Sequence, residues 1–508
     1  MSRTPAPVVI VGAGPVGLTA ALLLARLHVP AVILEAGSAP DTVGSKAICF
    51  QRDVLDILHR AGVATDMIAE GVTWTTARTY HRERELFART FPAGSAAGDG
   101  PPPWINISQA RVEALLRRQV AAHPLVSLRH DHRVTALVPG DGHVTVHVSG
   151  RSGGIVASHV VGCDGAASTV RDLIGLPITG RTFDDRFLIA DIRTDLPFAS
   201  ERRFYFDPPW NPGRQVLVHH CPGGVWRIDW QVPADYDLEE ERATGALDER
   251  IRRITEGRPY SIEWLSVYRF HQRLADSFQK GRVFLAGDAA HLYAPFGARG
   301  CNSGIQDAEN LAWKIAFDRR GHAGEHLLPS YTAERRDAAL ENLRATGATM
   351  EFLVPQTEEQ WERRNRTLRE ARTDPAAHSR VDSGRLAEPH SYASSPLTTP
   401  GPGAGDLHPD LPLPGGRLRT RLGPGFTVLL GGTFAGVADD SRDGALTGEI
   451  HQAAAGIPVT VIHNPGQEAD VHVIRADGHL AATLPAYRPT ALATVLRRTA
   501  GHPSTVEE

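Results

Sequence analysis

Apolar and polar positions change their spacing along the chain, and each change predicts a different kind of structure. Residues 8–11 and 31–34 are uninterrupted apolar runs rich in β-branched side chains, which is typical of strands buried on both faces. The Ala/Leu-rich stretch between them has the length of a helix. Strand, helix and strand in this order predict a βαβ unit with parallel strands.

A similar order returns late in the chain. Residues 283–286 predict a buried strand that leads into Gly287 and Asp288, then a Pro/Gly-rich loop, and then a long helix that begins near Asn302. A carboxylate therefore stands at a strand end, and free backbone N–H groups stand at a helix start, where negative charge is favoured. A planar group with a polar, anionic edge would fit this place.

Between these regions the apolar positions recur with a period of two. Residues 187–268 contain five such stretches, separated by turn signals such as Asp207-Pro208-Pro209, so a mostly antiparallel sheet is predicted. The charged residues 330–350 predict a helix that packs across the nucleotide domain as a brace.

The last third of the chain predicts a linker and a small domain. Residues 355–395 are polar and residues 396–424 are rich in Pro and Gly, which is typical of a segment that runs over the surface. Strands follow, with a hairpin turn at Asp477-Gly478 and a closing helix near residues 490–499.

Composition excludes several function classes. The 58 acidic and 54 basic residues nearly cancel, so nucleic acid is not an expected partner. The four cysteines are scattered and form no Cys-x-x-Cys pair, which suits a reducing cytoplasm and predicts no metal. Glycines interrupt the apolar N-terminus and Arg26 closes it, so neither a signal peptide nor a membrane partner is expected.

The first βαβ unit carries a nucleotide-binding fingerprint. Gly12, Gly14, Pro15 and Gly17 lie between its first strand and its helix, and Glu35 follows its second strand. The glycines allow a tight turn and close approach of a pyrophosphate to the backbone, and the acid can accept hydrogen bonds from a ribose. The fingerprint alone leaves NAD and FAD open.

Two further motifs carry a family resemblance. Asp164, Gly165, Ser168 and Arg171 follow a strand, and residues 287–291 read Gly-Asp-Ala-Ala-His. Together with the N-terminal Gly-Ala-Gly-Pro-Val-Gly, and in this order, they resemble the single-component FAD-dependent aromatic hydroxylases of the para-hydroxybenzoate hydroxylase type. The resemblance spans about residues 8–350.

The resemblance implies an α/β fold, in which a Rossmann-like FAD-binding domain holds an inserted, mostly antiparallel β-sheet substrate domain and a C-terminal thioredoxin-like domain follows. The predicted division is residues 1–180 and 276–395 for the FAD domain, 181–275 for the substrate domain and 396–508 for the linker and the thioredoxin-like domain. No cysteine follows Cys301, so the last domain lacks the redox motif. It is predicted to be structural or oligomerising, and its removal is expected to leave the flavin site intact.

The implied cofactor is FAD, with NADPH or NADH as co-substrate. The resemblance assigns the ribityl chain to Asp288 and Gln109, and the helix start after Gly300 to the pyrimidine edge of the flavin ring. Lys46 stands where relatives often have Arg. The complete predicted set of FAD contacts is Gly12, Gly14, Pro15, Gly17, Glu35, Lys46, Gln109, Asp164, Gly165, Ser168, Arg171, Gly287, Asp288, Pro295, Gly300, Cys301 and Asn302.

The implied reaction is the hydroxylation of a phenolic or polycyclic aromatic substrate by dioxygen through a flavin hydroperoxide. No catalytic acid/base pair is identified. Predicted substrate contacts are Tyr205, His220 and Arg227 on the inserted sheet and Pro295 and Phe296 beside the ring. Two alternatives stay open: Baeyer–Villiger oxygen insertion on the same scaffold, and a flavin-binding module without catalysis. A homodimer also stays open.

Overall fold

The computed structural model describes residues 6–38, 47–91, 100–432, 440–464 and 470–503. A six-stranded sheet forms the base of the first domain, and it is parallel except for its first edge strand. Its order is Gln279–Lys280, Val283–Leu285, His159–Gly162, Val8–Val11, Ala31–Leu34 and Val126–Arg129. The central strands are fully buried, as their uninterrupted apolar sequences require.

An eight-stranded sheet forms the second layer. It is antiparallel except where Glu201–Phe206 runs parallel to Thr76–His81. Its order is His291–Leu292, Ser261–Ala275, Ile178–Arg193, Val225–Val232, Gln215–Cys221, Glu201–Phe206, Thr76–His81 and Arg84–Thr90. The predicted antiparallel sheet is present, and it also includes residues 76–90, which the sequence did not assign to it.

The two faces of this sheet bury different partners. One face, which includes Phe204 and Phe270, packs on Phe296 and on the helix Pro329–Leu353. The other face carries Trp226 and Trp230 and packs under a pair of helices that cover residues 238–255. Because side chains alternate between faces, the neighbours of Phe204 and Phe270 at every second position share the first face.

Helices pack around both sheets and the smaller strands complete the layers. The helices are Pro15–Arg26, Arg52–Arg60, Ala64–Glu70, Gln109–Ala122, Thr169–Leu173, Leu238–Thr244, Ala246–Thr255, Arg299–Arg319, Pro329–Leu353, Glu358–Glu370 and Leu418–Arg421, with short 3-10 turns at Pro222–Gly224, Gly287–Ala289 and Pro375–Arg380. A three-stranded sheet contains Val134–Gly140, His143–Val148 and Ile155–Ala157, and two-stranded pairs join Cys49–Gln51 to Trp104–Asn106 and Pro412–Leu413 to Gly416–Arg417. Among the described residues, no helix is both long and apolar enough to cross a membrane.

The C-terminal domain is a four-stranded sheet with two helices. Its strand order is Val459–Asn464, Phe426–Gly431, Val471–Ile474 and Leu480–Leu484, and its helices are Asp440–Ala453 and Pro489–Thr499. The predicted hairpin and closing helix are both present. Gly478 has a φ of +83° in the hairpin turn, a conformation that glycine adopts without strain.

The predicted surface linker is partly wrong. Tyr392, Ser395, Leu397 and Thr398 are buried, and they lie between the FAD domain and the C-terminal hairpin. Their polar groups are hydrogen-bonded within the protein, so a polar, proline-rich sequence does not imply exposure here.

Candidate cofactor and active site

The three sequence motifs converge at one end of the parallel sheet. A Cβ atom on Gly12 would lie 2.5 Å from the carbonyl oxygen of Cys163, directly before the second motif. One on Gly304, which follows the third motif, would lie 2.6 Å from Val16 in the first. Glycines at these positions therefore allow the three segments to touch, although they lie far apart in the chain.

The fingerprint loop leaves room for a ligand at one position. A Cβ atom on Gly14 would meet nothing within 4 Å, whereas Gly12 and Gly17 are enclosed by backbone. Gly14 caps the helix Pro15–Arg26, so the free N–H groups of that helix open into the same space. An uncovered glycine at a helix start fits the pyrophosphate of a dinucleotide.

Glu35 borders this loop, and Gln109 begins the helix Gln109–Ala122. The backbone N–H groups of Ala13 and Gly37 donate to the Glu35 carboxylate at 2.8 Å and 2.9 Å. The Gln109 side chain accepts from the N–H of Ala47 at 3.2 Å. Both side chains are thus oriented by the loops that the sequence predicts to hold the nucleotide. Lys46, another predicted contact, lies outside the described residues.

The second motif supports its neighbours. The hydroxyl of Ser168 donates to Asp164 at 2.6 Å, and the N–H of Arg171 donates to that hydroxyl at 3.0 Å. The buried Arg171 guanidinium donates to the carbonyl of Ala289 in the third motif at 3.1 Å. Asp164, Ser168 and Arg171 therefore hold the third motif in place, and Gly165 provides a turn at φ +79°.

Asp307 anchors the third motif from below. It accepts from the N–H of Gly287 at 2.9 Å, contacts Nε2 of His291 at 2.6 Å, and accepts from Nε of Arg335 at 2.6 Å. Burial opposes ionisation, but His291 and Arg335 together lower the pKa of Asp307 to about 2. This buried anion fixes the turn that presents Asp288, and nothing in the sequence pattern marks it.

The turn presents Asp288 beside the helix Arg299–Arg319. Asp288 is exposed, and Gly300, Cys301 and Asn302 lie in the first turn of that helix. Burial and, secondarily, the charge of Asp288 raise the pKa of the Cys301 thiol well above its usual range. Cys301 therefore stays a protonated thiol. The groups at this helix start that can bind negative charge are the backbone N–H groups.

The helix start is held by contacts to neighbouring loops. The Asn302 carboxamide accepts from the N–H of Gln51 at 3.2 Å and donates to the carbonyl of Cys49 at 2.9 Å. Ala298, before the helix, has a φ of +55°, an uncommon conformation for a residue with a side chain. Pro295 is exposed on the same loop, whereas Phe296 is buried against the eight-stranded sheet.

Two of the predicted substrate contacts face away from this loop. Tyr205 stacks on Tyr80 at 4.7 Å between ring centroids, and His220 stacks on Trp226 at 4.5 Å. Both lie on the face covered by the residue 238–255 helices. Arg227 is on the opposite, loop-facing side, but it is buried and forms two 2.7 Å hydrogen bonds to Asp191. The sequence could not place these residues because a shift of one position exchanges the faces.

The sequence missed the polar residues of the loop-facing side. Arg202, His219, Asp229 and Tyr268 share this side by strand alternation, and Nε2 of His219 lies 3.7 Å from Asp229. Burial, then the charges of Asp229 and Asp288, raise the pKa of Tyr268 well above its usual value. The register of the strands, which the sequence does not fix, is what shows that these residues share one side of the sheet.

Asp229 makes the free energy of unfolding depend on pH. Burial, partly offset by Arg227, raises the pKa of Asp229 from 3.8 to about 7. The stabilisation by the protonated form is therefore complete below pH 3.8 and lost as pH rises through 7. As pH rises from about 5 to 8, the free energy of unfolding measured by chemical denaturation should fall less for Asp229→Asn than for wild type. Identical slopes for the two proteins would contradict this assignment.

Within the described residues, no group of three or more His, Cys, Asp or Glu side chains is placed to hold a metal ion.

A family model described as an FAD binding domain matches residues 5–346. The chain belongs to this family. FAD is therefore its cofactor, and the open Gly14 loop and the helix start at Gly300 fit the two ends of that molecule.

Named members of the family act on aromatic compounds. The 3-(3-hydroxy-phenyl)propionate/3-hydroxycinnamic acid hydroxylase of Mycobacterium sp. (strain JLS) is 34% identical over 342 residues, which are 66% of this chain and 58% of that protein. Para-nitrophenol 4-monooxygenase of Pseudomonas sp. (strain WBC-3) is 32% identical over 345 residues, 66% of this chain and 83% of that protein. The chain thus spans about 58% of the length of the first of these relatives.

The fold extends over nearly the whole chain. The flavin-dependent monooxygenase PieE, solved with FAD and substrate, superposes with a TM-score of 0.81 at 22% identity and covers 99% of this chain and 100% of its own. The p-nitrophenol 4-monooxygenase PnpA of Pseudomonas putida DLL-E4 gives 0.63 at 29% identity, covering 75% of this chain and 99% of that one. The α/β fold predicted from the sequence is confirmed.

Asp288→Ala is expected to weaken FAD binding by about ten- to a hundredfold, because a charged hydrogen-bond acceptor at the cofactor is lost. Asp276→Ala is the matched control, since Asp276 is also exposed but lies before the strand that leads to the motif. FAD content after gel filtration and the Kd of FAD for the apoprotein measure the effect. Equal FAD retention in both variants would show that Asp288 is not a cofactor ligand.

Proposed function

We propose that this protein is an FAD-dependent monooxygenase that uses NAD(P)H and dioxygen to hydroxylate a phenolic or polycyclic aromatic substrate. The observation that carries the proposal is the polar side of the eight-stranded sheet, which stands across from the third motif. Phe296, on the loop that follows that motif, contacts Phe187 and Phe270 at 5.7 Å and 6.2 Å between ring centroids, so the sheet covers the loop. The two aromatic-compound relatives support the same reaction class.

The converged motifs would hold both ends of the FAD molecule. The Gly14 loop and Glu35 would hold the pyrophosphate and ribose, and Asp288 with Gln109 would hold the ribityl chain. The helix start at Gly300 would stabilise negative charge on the pyrimidine edge of the ring. When bound, FAD supplies the oxidation chemistry, accepting hydride from the nicotinamide and delivering one oxygen atom of dioxygen.

The sheet would position the substrate and receive its proton. A phenol is a better nucleophile at carbon when its hydroxyl is deprotonated, and a carboxylate with a pKa of about 7, such as Asp229, is suited to accept that proton near neutral pH. His219 beside it is neutral, because burial and then the charges of Arg202 and Arg227 lower its pKa. The aromatic residues Phe187 and Phe270 would keep water from the reacting atoms.

The test is substrate-stimulated oxidation of NAD(P)H by the holoenzyme in air. We expect at least one member of a panel of one-ring and fused-ring phenols to accelerate NAD(P)H oxidation and to yield a hydroxylated product. Asp229→Asn should slow product formation and shift its pH profile while FAD stays bound. A holoenzyme that holds FAD and oxidises no phenol in the panel would favour the non-catalytic reading. The homodimer stays a prediction, which light scattering tests.

A further inference from the structure

A cavity of about 1050 Å³ lies at the edge of the eight-stranded sheet that ends in Arg84–Thr90. Its walls come from the edge strands Thr76–His81 and Arg84–Thr90, the helix Arg52–Arg60, residues 379–389 and residues 407–419. Pockets that enclose drug-sized molecules have volumes of roughly 300–1,000 Å³. The space therefore suits several fused rings and exceeds what a single-ring phenol fills.

The cavity adjoins the predicted flavin position through two walls. Gln51 lines it, and the backbone N–H of Gln51 donates to the Asn302 carboxamide at the helix start, at 3.2 Å. Gly384 also lines it and is so close to Phe296 that a Cβ atom there would lie 3.1 Å from that side chain. A ligand in the cavity would therefore lie next to the loop and the helix start that follow the third motif.

One wall of the cavity is aromatic. Trp74 and Trp104 lie 4.7 Å apart, and Phe91 meets both rings edge-on at 5.9 Å and 5.1 Å. Each indole N–H is already hydrogen-bonded within the protein, at 3.3 Å for Trp74 and 2.9 Å for Trp104. Trp74 and Trp104 are buried and Phe91 is half-buried, so the wall offers a small apolar surface and no free indole N–H, which suits a flat aromatic ligand.

Three arginines of the lining form no direct ion pair within the described residues. Arg52, Arg89 and Arg202 each donate to a backbone carbonyl, of Pro101, His378 and Ser383 respectively. In the described part of the chain, no carboxylate oxygen lies within 4.0 Å of any of them. Other lining arginines are paired, as Arg380 is with Glu370 at 2.9 Å and Arg417 with Asp56 at 2.6 Å.

Arg202 is connected to the helix start at Gly300 through Cys49. It lies on the loop-facing side of the sheet, two residues before Phe204, and it interacts electrostatically with Cys49, whose carbonyl bonds Asn302. Burial lowers the pKa of Arg202 to about 10, so the guanidinium is still charged at neutral pH. The carboxylates of Asp382 and Asp229 raise the pKa of Arg202 through their charge but form no ion pair with it, so a bound carboxylate could still make a direct charged contact with the guanidinium.

We propose that this cavity binds the substrate and that the substrate is a polycyclic aromatic acid whose carboxylate is held by Arg202. The inference rests on the proposed monooxygenase function and names its substrate class. The aromatic wall would receive the fused rings, and Arg52 and Arg89 would favour further anionic substituents.

The first test compares two ligands on the wild-type holoenzyme by isothermal titration calorimetry. Rhein is a tricyclic phenol with one carboxylate, and aloe-emodin has a hydroxymethyl group in its place. We expect rhein to bind about ten- to a hundredfold more tightly, which is the effect of one charged hydrogen-bonded contact. Equal affinities, or tighter binding of aloe-emodin, would overturn the proposal without the need for any variant.

The second test assigns the anchor. Arg202→Met should bind rhein and aloe-emodin with about equal affinity. Arg380→Met, which removes a paired arginine from the same cavity, should keep the preference for rhein. A preference that persists equally in both variants would overturn the role of Arg202. Arg202→Lys, which keeps the charge, should retain part of the preference and serves if the methionine variant does not hold FAD.

The same samples separate this inference from the proposed function. Selective rhein binding by a holoenzyme that oxidises no phenol would support the anionic site and contradict the monooxygenase. Hydroxylation of a phenol by an enzyme that does not distinguish rhein from aloe-emodin would support the monooxygenase and overturn the anionic site.

Discussion

Replacing Arg475 by methionine is expected to lower the free energy of unfolding by about 3–5 kcal/mol, because it leaves two buried carboxylates without their main partner. Arg475 donates to Glu334 at 2.6 Å and 2.8 Å and to Asp477 at 2.6 Å and 3.1 Å. All three side chains are almost completely shielded from water. Chemical denaturation followed by FAD fluorescence and by circular dichroism measures the change.

Arg385→Met is the control for this prediction. Arg385 also pairs with an acid, Glu388 at 2.9 Å, but both side chains are largely exposed, so its loss should change stability by less than about 1 kcal/mol. A similarly small effect for Arg475→Met would contradict the assigned role of the buried network.

The Arg475 network connects the C-terminal domain to the FAD domain. Glu334 also accepts from Lys314 at 2.6 Å and from Ser395 at 2.6 Å, and its neighbour Arg335 bonds Tyr392 and Asp307 at 2.8 Å and 2.6 Å. Asp307 in turn holds the N–H of Gly287 in the third motif. We therefore revise the expectation that the protein keeps an intact flavin site without residues from about 400 onward: the truncated chain should lose both stability and FAD.

Gly14→Ala is expected to weaken FAD binding by about ten- to a hundredfold while the protein still folds. The backbone of Gly14, with a φ of −76°, accepts alanine, and the added methyl group meets no protein atom within 4 Å. It would instead occupy space that the pyrophosphate needs. FAD titration of the apoprotein, with circular dichroism to verify folding, measures the two effects separately.

Two other glycines define the controls. Gly401→Ala also adds a methyl group in open space but lies outside the motifs, so FAD binding should not change. Gly12→Ala should impair folding itself, because φ is +104° and the new atom would overlap the carbonyl of Cys163. A Gly14→Ala protein with wild-type FAD affinity would mean that the cofactor does not approach this loop.

The sequence predicted the parts of the molecule that depend on local patterns. The βαβ unit, the strand before Gly287, the inserted sheet and the C-terminal hairpin follow from apolar periodicity and turn residues, and all are present. The three motifs also implied one FAD-binding site, through their resemblance to a known family. These features need no knowledge of which side chains meet across domains.

The sequence could not predict what depends on register or on burial of charge. The sequence left open which face Tyr205 and His220 occupy, since alternation alone does not say which face is inward, and both lie on the face away from the third motif. Glu334 and Arg335 appear as surface charges of a bracing helix, yet both are fully buried in paired networks. Their partners include Tyr392 and Arg475, which are more than 50 positions away, so no local pattern reveals these networks.

In the proposed reaction, the flavin site transfers oxygen to an aromatic carbon. The most direct test incubates the holoenzyme with NAD(P)H, isotopically labelled dioxygen and a phenol that stimulates NAD(P)H oxidation, and then locates the label by mass spectrometry. We predict one labelled oxygen atom in a new hydroxyl group on the aromatic ring. Label inserted into a carbon–carbon bond as an ester would indicate Baeyer–Villiger oxidation, and label found only in hydrogen peroxide would contradict the proposed monooxygenase.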